Sequence, residues 1–189
     1  LGHCLASLLR NTAEPFRLIL VNNGTRPLEA PKDPRIFVIN TGKNLGWIGG
    51  INSGLSWTSQ NDPAKFVCFL NDDIQILDHD YGWLTKMLNC FELNEKIAAV
   101  GPVSNAGMGL QSSQHIGLPP NLETTRLSGM CFLVRREVLN EIGPLDESLP
   151  GGDDLDISIR LRNAGYKLCI SRRTFMLHHY GQTGKRVHG

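Results

Sequence analysis

Apolar residues in this chain fall into short runs set between turn-forming stretches, and the runs alternate between two periods. Leu1, Leu5, Leu8 and Leu9 repeat at helical spacing, which predicts a helix over residues 1–11. Residues 16–21 form an apolar run closed by Asn22-Asn23-Gly24-Thr25, the pattern of a strand ending in a turn. A proline-rich loop leads to a short strand at 36–39, and a glycine-rich segment at 41–54 feeds a helix through about residue 57. Residues 66–70 (Phe-Val-Cys-Phe-Leu) read as a buried strand, 81–93 as a helix and 98–103 as another strand. Residues 107–123 are rich in Gly, Ser and Pro and lack periodicity, which predicts a mobile loop. A strand at 129–134 and a short helix at 137–142 follow, the helix stopped by Gly143-Pro144. Leu155, Ile157, Ile159 and Leu161 alternate as in a strand. Against that, Asp153 or Asp154 can cap a helix, Asp156 and Arg160 stand four apart, and Gly165 sits where a helix would stop, so 154–164 is read as helix. Strand–helix alternation of this kind predicts an α/β fold with a mostly parallel central sheet flanked by helices.

Composition narrows the setting. Hydrophobic residues at 41% and charged residues at 20% are ordinary for a globular domain. The net charge of +1 gives no general reason to expect nucleic acid or an anionic membrane as a partner. The five cysteines, Cys4, Cys68, Cys90, Cys131 and Cys169, are scattered without CxxC spacing, which predicts buried reduced thiols in a cytoplasmic protein. No run reaches the ~18 apolar residues of a membrane span. The first helix opens without a start signal, so residues 1–189 are read as one domain truncated at its N-terminus.

Four segments can carry chemistry. The strand at 66–70 runs into Asn71-Asp72-Asp73, which sets two carboxylates at a strand's carboxyl end, where open α/β sheets bind ligands. Mutual repulsion calls for a cation on oxygen ligands, Mg²⁺ or Mn²⁺, shared with a substrate phosphate; the plain alternative is an acidic turn. Asn44, Gly46, Asn52 and Gly54 mark a segment whose glycines admit a ligand to the backbone and whose helix start favours anions, or else a glycine-rich turn before a helix that packs tightly on the sheet. Gly151-Gly152-Asp153-Asp154-Leu155-Asp156 opens a helix with three acids. A helix start favours the ionised carboxylate, suiting one of them to accept a proton, while capping or pairing with Arg160 would explain the others. His178-His179 ends an apolar run at 174–177, and a histidine beyond a strand end can complete a metal site. On an extended segment only one of the two faces any given site. Tyr180-Gly181-Gln182-Thr183-Gly184 reads as a flexible loop.

The order of these signals resembles the family 2 glycosyltransferases with the GT-A fold, especially their bacterial rhamnosyltransferase-like branch. Asn22-Asn23-Gly24-Thr25 resembles the family's DNGS-like turn, and Asn44, Gly46, Asn52 and Gly54 its NxGxxxxxNxG stretch. Leu70-Asn71-Asp72-Asp73 is similar to the metal motif, Gly129 to Arg136 to a GxxxLxRR strand, and Gly143 to Glu147 to a GxxDE turn. The block from Asp153 to Tyr166 matches EDxDLxxRLxxAGY closely, and His178 a late histidine. The resemblance implies an inverting transfer of sugar from a nucleotide-diphosphate donor (UDP-, dTDP- or GDP-linked) to a hydroxyl of a saccharide or lipid-linked acceptor, in polysaccharide or cell-wall synthesis, in the cytoplasm or at the inner face of the membrane. It implies metal on Asp73 and His178, nucleotide contacts from Asn22, Asn23, Asn44, Gly46, Asn52, Asn71 and Asp72, general-base chemistry at Asp154 with Asp153, and sugar or acceptor contacts at Gly129 and Asp156.

The chain departs from that pattern in three places. The family's opening hydrophobic strand and base-holding loop have no counterpart, Asn22 stands where an Asp is usual, and Asn71 replaces the first acid of the metal motif. Two other classes therefore stay open: a non-catalytic relative that binds a nucleotide sugar or a partner, and a sugar-phosphate nucleotidyltransferase.

Overall fold

The structure is a computed structural model that describes residues 1–179. The elements in chain order are α1 (Gly2–Asn11), β1 (Leu18–Asn22), β2 (Ile36–Asn40), α2 (Gly46–Asn61), β3 (Phe66–Leu70), β4 (Ile74–Ile76), α3 (Trp83–Phe91), β5 (Ile97–Ser104), β6 (Asn121–Thr124), β7 (Cys131–Arg135), α4 (Arg136–Ile142), α5 (Asp153–Asn163) and β8 (Lys167–His178), with one 3₁₀ turn at Gly109–Gln111. The Tyr180–Gly184 loop expected from the sequence lies outside the described residues.

A six-stranded sheet forms the centre in the order β3-β7-β5-β8-β4, with β6 also paired to β8. The α/β class holds, but this sheet is mixed rather than mostly parallel. Only β5 and β8 run parallel within it, and β3–β7, β5–β7, β4–β8 and β6–β8 are antiparallel. The reason is local. β4 and β6 have three and four residues, too short to show a period, and both pair with the twelve-residue β8. β8 serves several neighbours because its register against β5 shifts between Pro102 and Val103, where Ser171 gives way to Phe175 as partner. That irregularity bends the strand and carries its far end to β4.

Helices cover both faces. Cys4 and Leu8 of α1 and Trp83 and Met87 of α3 close one core with Ile74, Val100 and Met176 of the sheet. Ile48 of α2, Val138 and Leu139 of α4, and Ile157 and Leu161 of α5 close the other with Phe132, Leu168 and Ile170. α2 starts inside the glycine-rich segment, earlier than a turn reading allows, because two of its glycines let neighbours approach. A Cβ at Gly50 would come within 3.3 Å of Asn23 Nδ2, and one at Gly54 within 3.3 Å of Val21 Cγ2.

β1 and β2 make a separate parallel pair. The second edge of β1 and the second edge of β3 carry no strand partner among the described residues. Both line one cleft of about 1640 Å³, whose lining also includes Asn71, Asp72, Asp73, Gly129, Asp153, Asp154 and His178. Four cysteines are buried free thiols as expected, but Cys68 is exposed, because its strand forms one wall of that cleft.

Candidate active site

β3 ends at Leu70 and the chain turns through Asn71-Asp72-Asp73 into β4, whose Ile74 pairs with His178 at the end of β8. This register brings together groups about a hundred positions apart in sequence. Asp73 Oδ1 lies 2.9 Å from His178 Nε2, with the two side chains only 13% and 8% exposed. Asn71 Nδ2 is 3.4 Å from the same ring nitrogen. The backbone of His178 is fixed by Asn105, whose Oδ1 accepts from His178 N at 2.8 Å and whose Nδ2 donates to His178 O at 3.1 Å. The pleat turns the next residue away: exposed His179 lies 2.9 Å from Gln75 Oε1 through its ring, and its N–H donates to Asp73 O. Asp72 is exposed at the mouth of the cleft. Beneath the turn Cys4 Sγ donates to Asn71 O at 3.6 Å, and burial, with the negative charges of Asp72 and Asp73 adding to it, pushes that thiol up to about 12.

Whether these residues suit a divalent cation is decided by one atom. Asp73 Oδ1 is buried, and its near polar neighbour is His178 Nε2 at 2.9 Å. A buried carboxylate oxygen needs a donor or a cation, and an N–H at that ring nitrogen or a bound divalent ion would each supply one. With an imidazole nitrogen beside it, the pair offers two protein ligands. Among the described residues no three His, Cys, Asp or Glu groups gather into an all-protein metal cage. Two ligands are what Mg²⁺ or Mn²⁺ takes when phosphate oxygens and water complete its shell, so the donor set fits.

The other acids sit where α5 begins. Gly152 precedes the helix with φ +76, a left-handed value that favours glycine. Asp154 Oδ1 and Oδ2 lie 3.1 and 3.2 Å from Arg126 Nη2, and Oδ2 also accepts from Gly129 N at 3.2 Å. Gly129 is pressed close: a Cβ there would meet Asp154 Cβ at 3.4 Å. A carboxylate has about four lone-pair sites, so these contacts fix its plane and leave capacity for a proton from a bound hydroxyl. Asp153 Oδ2 accepts from Trp47 Nε1 at 2.9 Å, tying α5 to α2. Asp156 stands apart. Its carboxylate pairs with Arg160 at 2.8 Å, and it does not line the cleft.

The amide-rich segment divides in the same way. Asn23 binds Gly46 O through Nδ2 at 2.7 Å and accepts from Leu45 N at 2.8 Å, and Asn44 Oδ1 accepts from Gly46 N at 2.9 Å. These bonds stitch the turn after β1 to the start of α2, and Asn22, Asn23, Asn44 and Gly46 all line the cleft. Asn22 spends its amide hydrogens on Arg26 O and Asn40 Oδ1, leaving its carbonyl oxygen to accept. Asn52 does not join them. Its side chain donates to Leu145 O and Glu147 Oε1 and accepts from Leu145 N, so it fastens α2 to the turn before α5 and lies outside the cleft lining. Sequence reading missed Trp47, Asn105 and Arg126. Each acts through a partner 28 or more positions away, and no spacing rule reports that.

Comparison with known proteins gives these positions a context. The sequence profile "Glycosyl transferase family 2" matches residues 1–143, so Asp153, Asp154 and His178 lie beyond the matched stretch. The chain is 27% identical to the O-antigen biosynthesis protein RfbC of Myxococcus xanthus, covering 92% of this chain and 16% of that protein. It is 23% identical to N-acetylglucosaminyl-diphospho-decaprenol L-rhamnosyltransferase of Mycobacterium tuberculosis, over 93% of this chain and 70% of that one. In fold it is similar to the crystal structure of GalNAc-T7 with UDP, GalNAc and Mn2+, with a TM-score of 0.72 at 13% identity, covering 93% of this chain and 40% of that one.

Proposed function

The chain belongs to glycosyl transferase family 2, and from that premise we propose that residues 1–189 act as one catalytic domain that moves a sugar from a nucleotide-diphosphate donor to an acceptor hydroxyl with inversion. The observation that carries this reading is a single cleft lined by two chemically distinct groups, Asp73 with His178 and Asp154 held by Arg126 and Gly129. The two are brought near each other where Asn71 N donates to the carbonyl of Met130, the neighbour of Gly129. Asp73 and His178 would hold a divalent cation, with Asp72 at the mouth; when bound, it supplies positive charge against the leaving diphosphate. Asn22, Asn23, Asn44 and Gly46 line the wall where a nucleotide would lie. Asp154 accepts the proton of the attacking hydroxyl, favoured as carboxylate by its place at a helix start. Trp47 and Asp153 tie α2 to α5 in the lining of the cleft. The rhamnosyltransferase among the relatives supports a lipid-linked acceptor and a polysaccharide product.

The half-exposed β1–β2 pair favours a second reading, a domain that binds nucleotide sugar without turning it over. The test is calorimetric titration of UDP, dTDP and GDP with and without Mn²⁺, followed by assay for released nucleoside diphosphate with a panel of nucleotide sugars. Metal-dependent binding with nucleoside diphosphate release supports transfer. Binding without release supports the second reading, and pyrophosphate release would mean nucleotidyl transfer instead.

A further inference from the structure

The segment from Asn105 to Pro120 is more ordered than its composition suggests, and it turns apolar side chains outward. Gln111, only 2% exposed, anchors it: Nε2 donates to Pro102 O at 2.8 Å and Oε1 accepts from Ser128 N at 2.7 Å. Arg172 draws the two arms together, donating from Nη1 to Leu110 O at 2.8 Å and from Nη2 to His115 O, while its backbone N–H donates to Pro120 O. One guanidinium thus holds the backbone of Leu110 beside that of the residue preceding Ile116. On this fastened loop Met108 is 61% exposed, Leu110 40%, Ile116 94% and Leu118 37%. Four large aliphatic side chains in eleven positions are not the scattered single exposures of an ordinary surface. The charge around them is one-sided. No Asp or Glu occurs from Asn105 to Leu122, whereas His115 belongs to the loop and Arg172 is bonded to it.

We propose that this loop docks the protein on an anionic lipid bilayer, with Met108, Leu110, Ile116 and Leu118 entering the boundary between headgroups and acyl chains. Side chains that protrude to this degree suit insertion into a fluid interface, where nothing must be shaped to receive them. The acid-free loop avoids repulsion by anionic headgroups, and Arg172 is drawn to them. The docked loop sits at the site's edge: Asn105 holds the backbone of His178, and Gln111 holds Ser128, the neighbour of Gly129. The bilayer contact stands on the loop alone; only its purpose, delivering the cleft to a lipid-linked acceptor, rests on the proposed transfer.

The experiment is co-sedimentation of the whole protein with vesicles of equal parts phosphatidylglycerol and phosphatidylcholine, without donor or metal, so its failure is separate from failure of the transfer reading. The unaltered protein partitions onto these vesicles, and the double variant Met108→Asp, Ile116→Asp partitions at least about ten-fold less at the same melting temperature. No partitioning, or equal partitioning of the variant, overturns the proposal. Equal binding to pure phosphatidylcholine overturns the anionic assignment. If the same substitutions instead abolish self-association in vesicle-free sedimentation velocity, the loop is a protein interface and the proposal falls.

Discussion

The two sheets are built from similar apolar strands and end up in different environments. All eight residues of β5 are buried, whereas all five of β1 are only half-buried, although Leu-Ile-Leu-Val is as apolar as anything in the larger sheet. What differs is the neighbours. β5 lies between β7 and β8 with helices over both faces, while β1 has β2 on one edge and the open cleft on the other. A continuous apolar run normally marks a strand covered on both faces and edges. In β1 and β3 that demand is unmet along the cleft, and exposed Cys68 shows the consequence. The division reaches the site. The Asp73–His178 group is built on the buried sheet, the amide wall of Asn22 and Asn23 on the lightly covered pair. The charged pair therefore sits on the well-covered half, and the amide wall on the half with less to hold it.

The largest expected effect lies at the charged pair. Asp73→Ala removes Mn²⁺-dependent affinity for UDP or dTDP, by about 100-fold or more in calorimetry, with the melting temperature nearly unchanged because a carboxylate leaves a crowded acidic turn. His178→Ala weakens the same binding and His179→Ala does not. Unchanged metal-dependent affinity in Asp73→Ala would remove the chemical half of the comparison. Next comes the proton. Asp154→Asn keeps donor affinity and lowers turnover by about two orders of magnitude or more, while Asp156→Asn spares turnover and costs stability through its Arg160 pair. Equal losses of turnover in both would show the acids wrongly assigned.

Packing gives a third contrast. Phe132 is 1% exposed in the central core, so Phe132→Ala should cost about 3–5 kcal/mol in denaturant unfolding. Leu20 on β1 is half-buried, and Leu20→Ala should cost less than half of that. Amide exchange should likewise be faster along β1 and β2 than along β5. Equal costs and equal protection would mean that β1 is held as firmly as the main sheet.

These contrasts also mark what the sequence could and could not disclose. The strand at Phe66–Leu70 was readable to the residue because a five-residue apolar run ends abruptly in acid. The helix after Gly152 was readable despite its alternating pattern, and burial explains why: Ile157 and Leu161 are buried while Leu155 and Ile159 are exposed, a split by four that a strand would not give. Strand direction was not readable, since β4 and β6 declare themselves only when β8 pairs with them. The choice between His178 and His179 depended on that same register. Arg126 and Trp47 escaped because the partner of a lone polar residue is set by tertiary approach. Asn52 misled for the converse reason: its spacing suited a ligand, and the fold used its amide to hold a turn.

The smallest expected effect tests what holds the lighter half in place. Just before β2, Asp33 Oδ1 accepts from Arg35 N and Nε at 2.9 Å each, and Oδ2 accepts from Nη2 at 2.8 Å. Arg35 also donates to Leu9 O and lies over the Phe16 ring, so the pair joins β2 to α1 and to the approach to β1. Hydrogen bonds from the Arg35 side chain, and then from its backbone N–H, lower the Asp33 carboxyl from 3.8 to about 2. A carboxyl depressed on folding stabilises the fold while it is ionised. That contribution is complete above about pH 4 and is lost as pH falls toward 2. The pair is at the surface, so solvent and salt screen it and the effect is small. Asp33→Asn should therefore melt slightly below the unaltered protein near neutrality, with faster amide exchange confined to β1 and β2. The two melting curves should converge as acid protonates Asp33 in the unaltered chain. A gap that stays constant or widens between pH 5 and pH 2, or exchange that quickens in β5 as much as in β2, would mean that this clasp does not hold the lighter half.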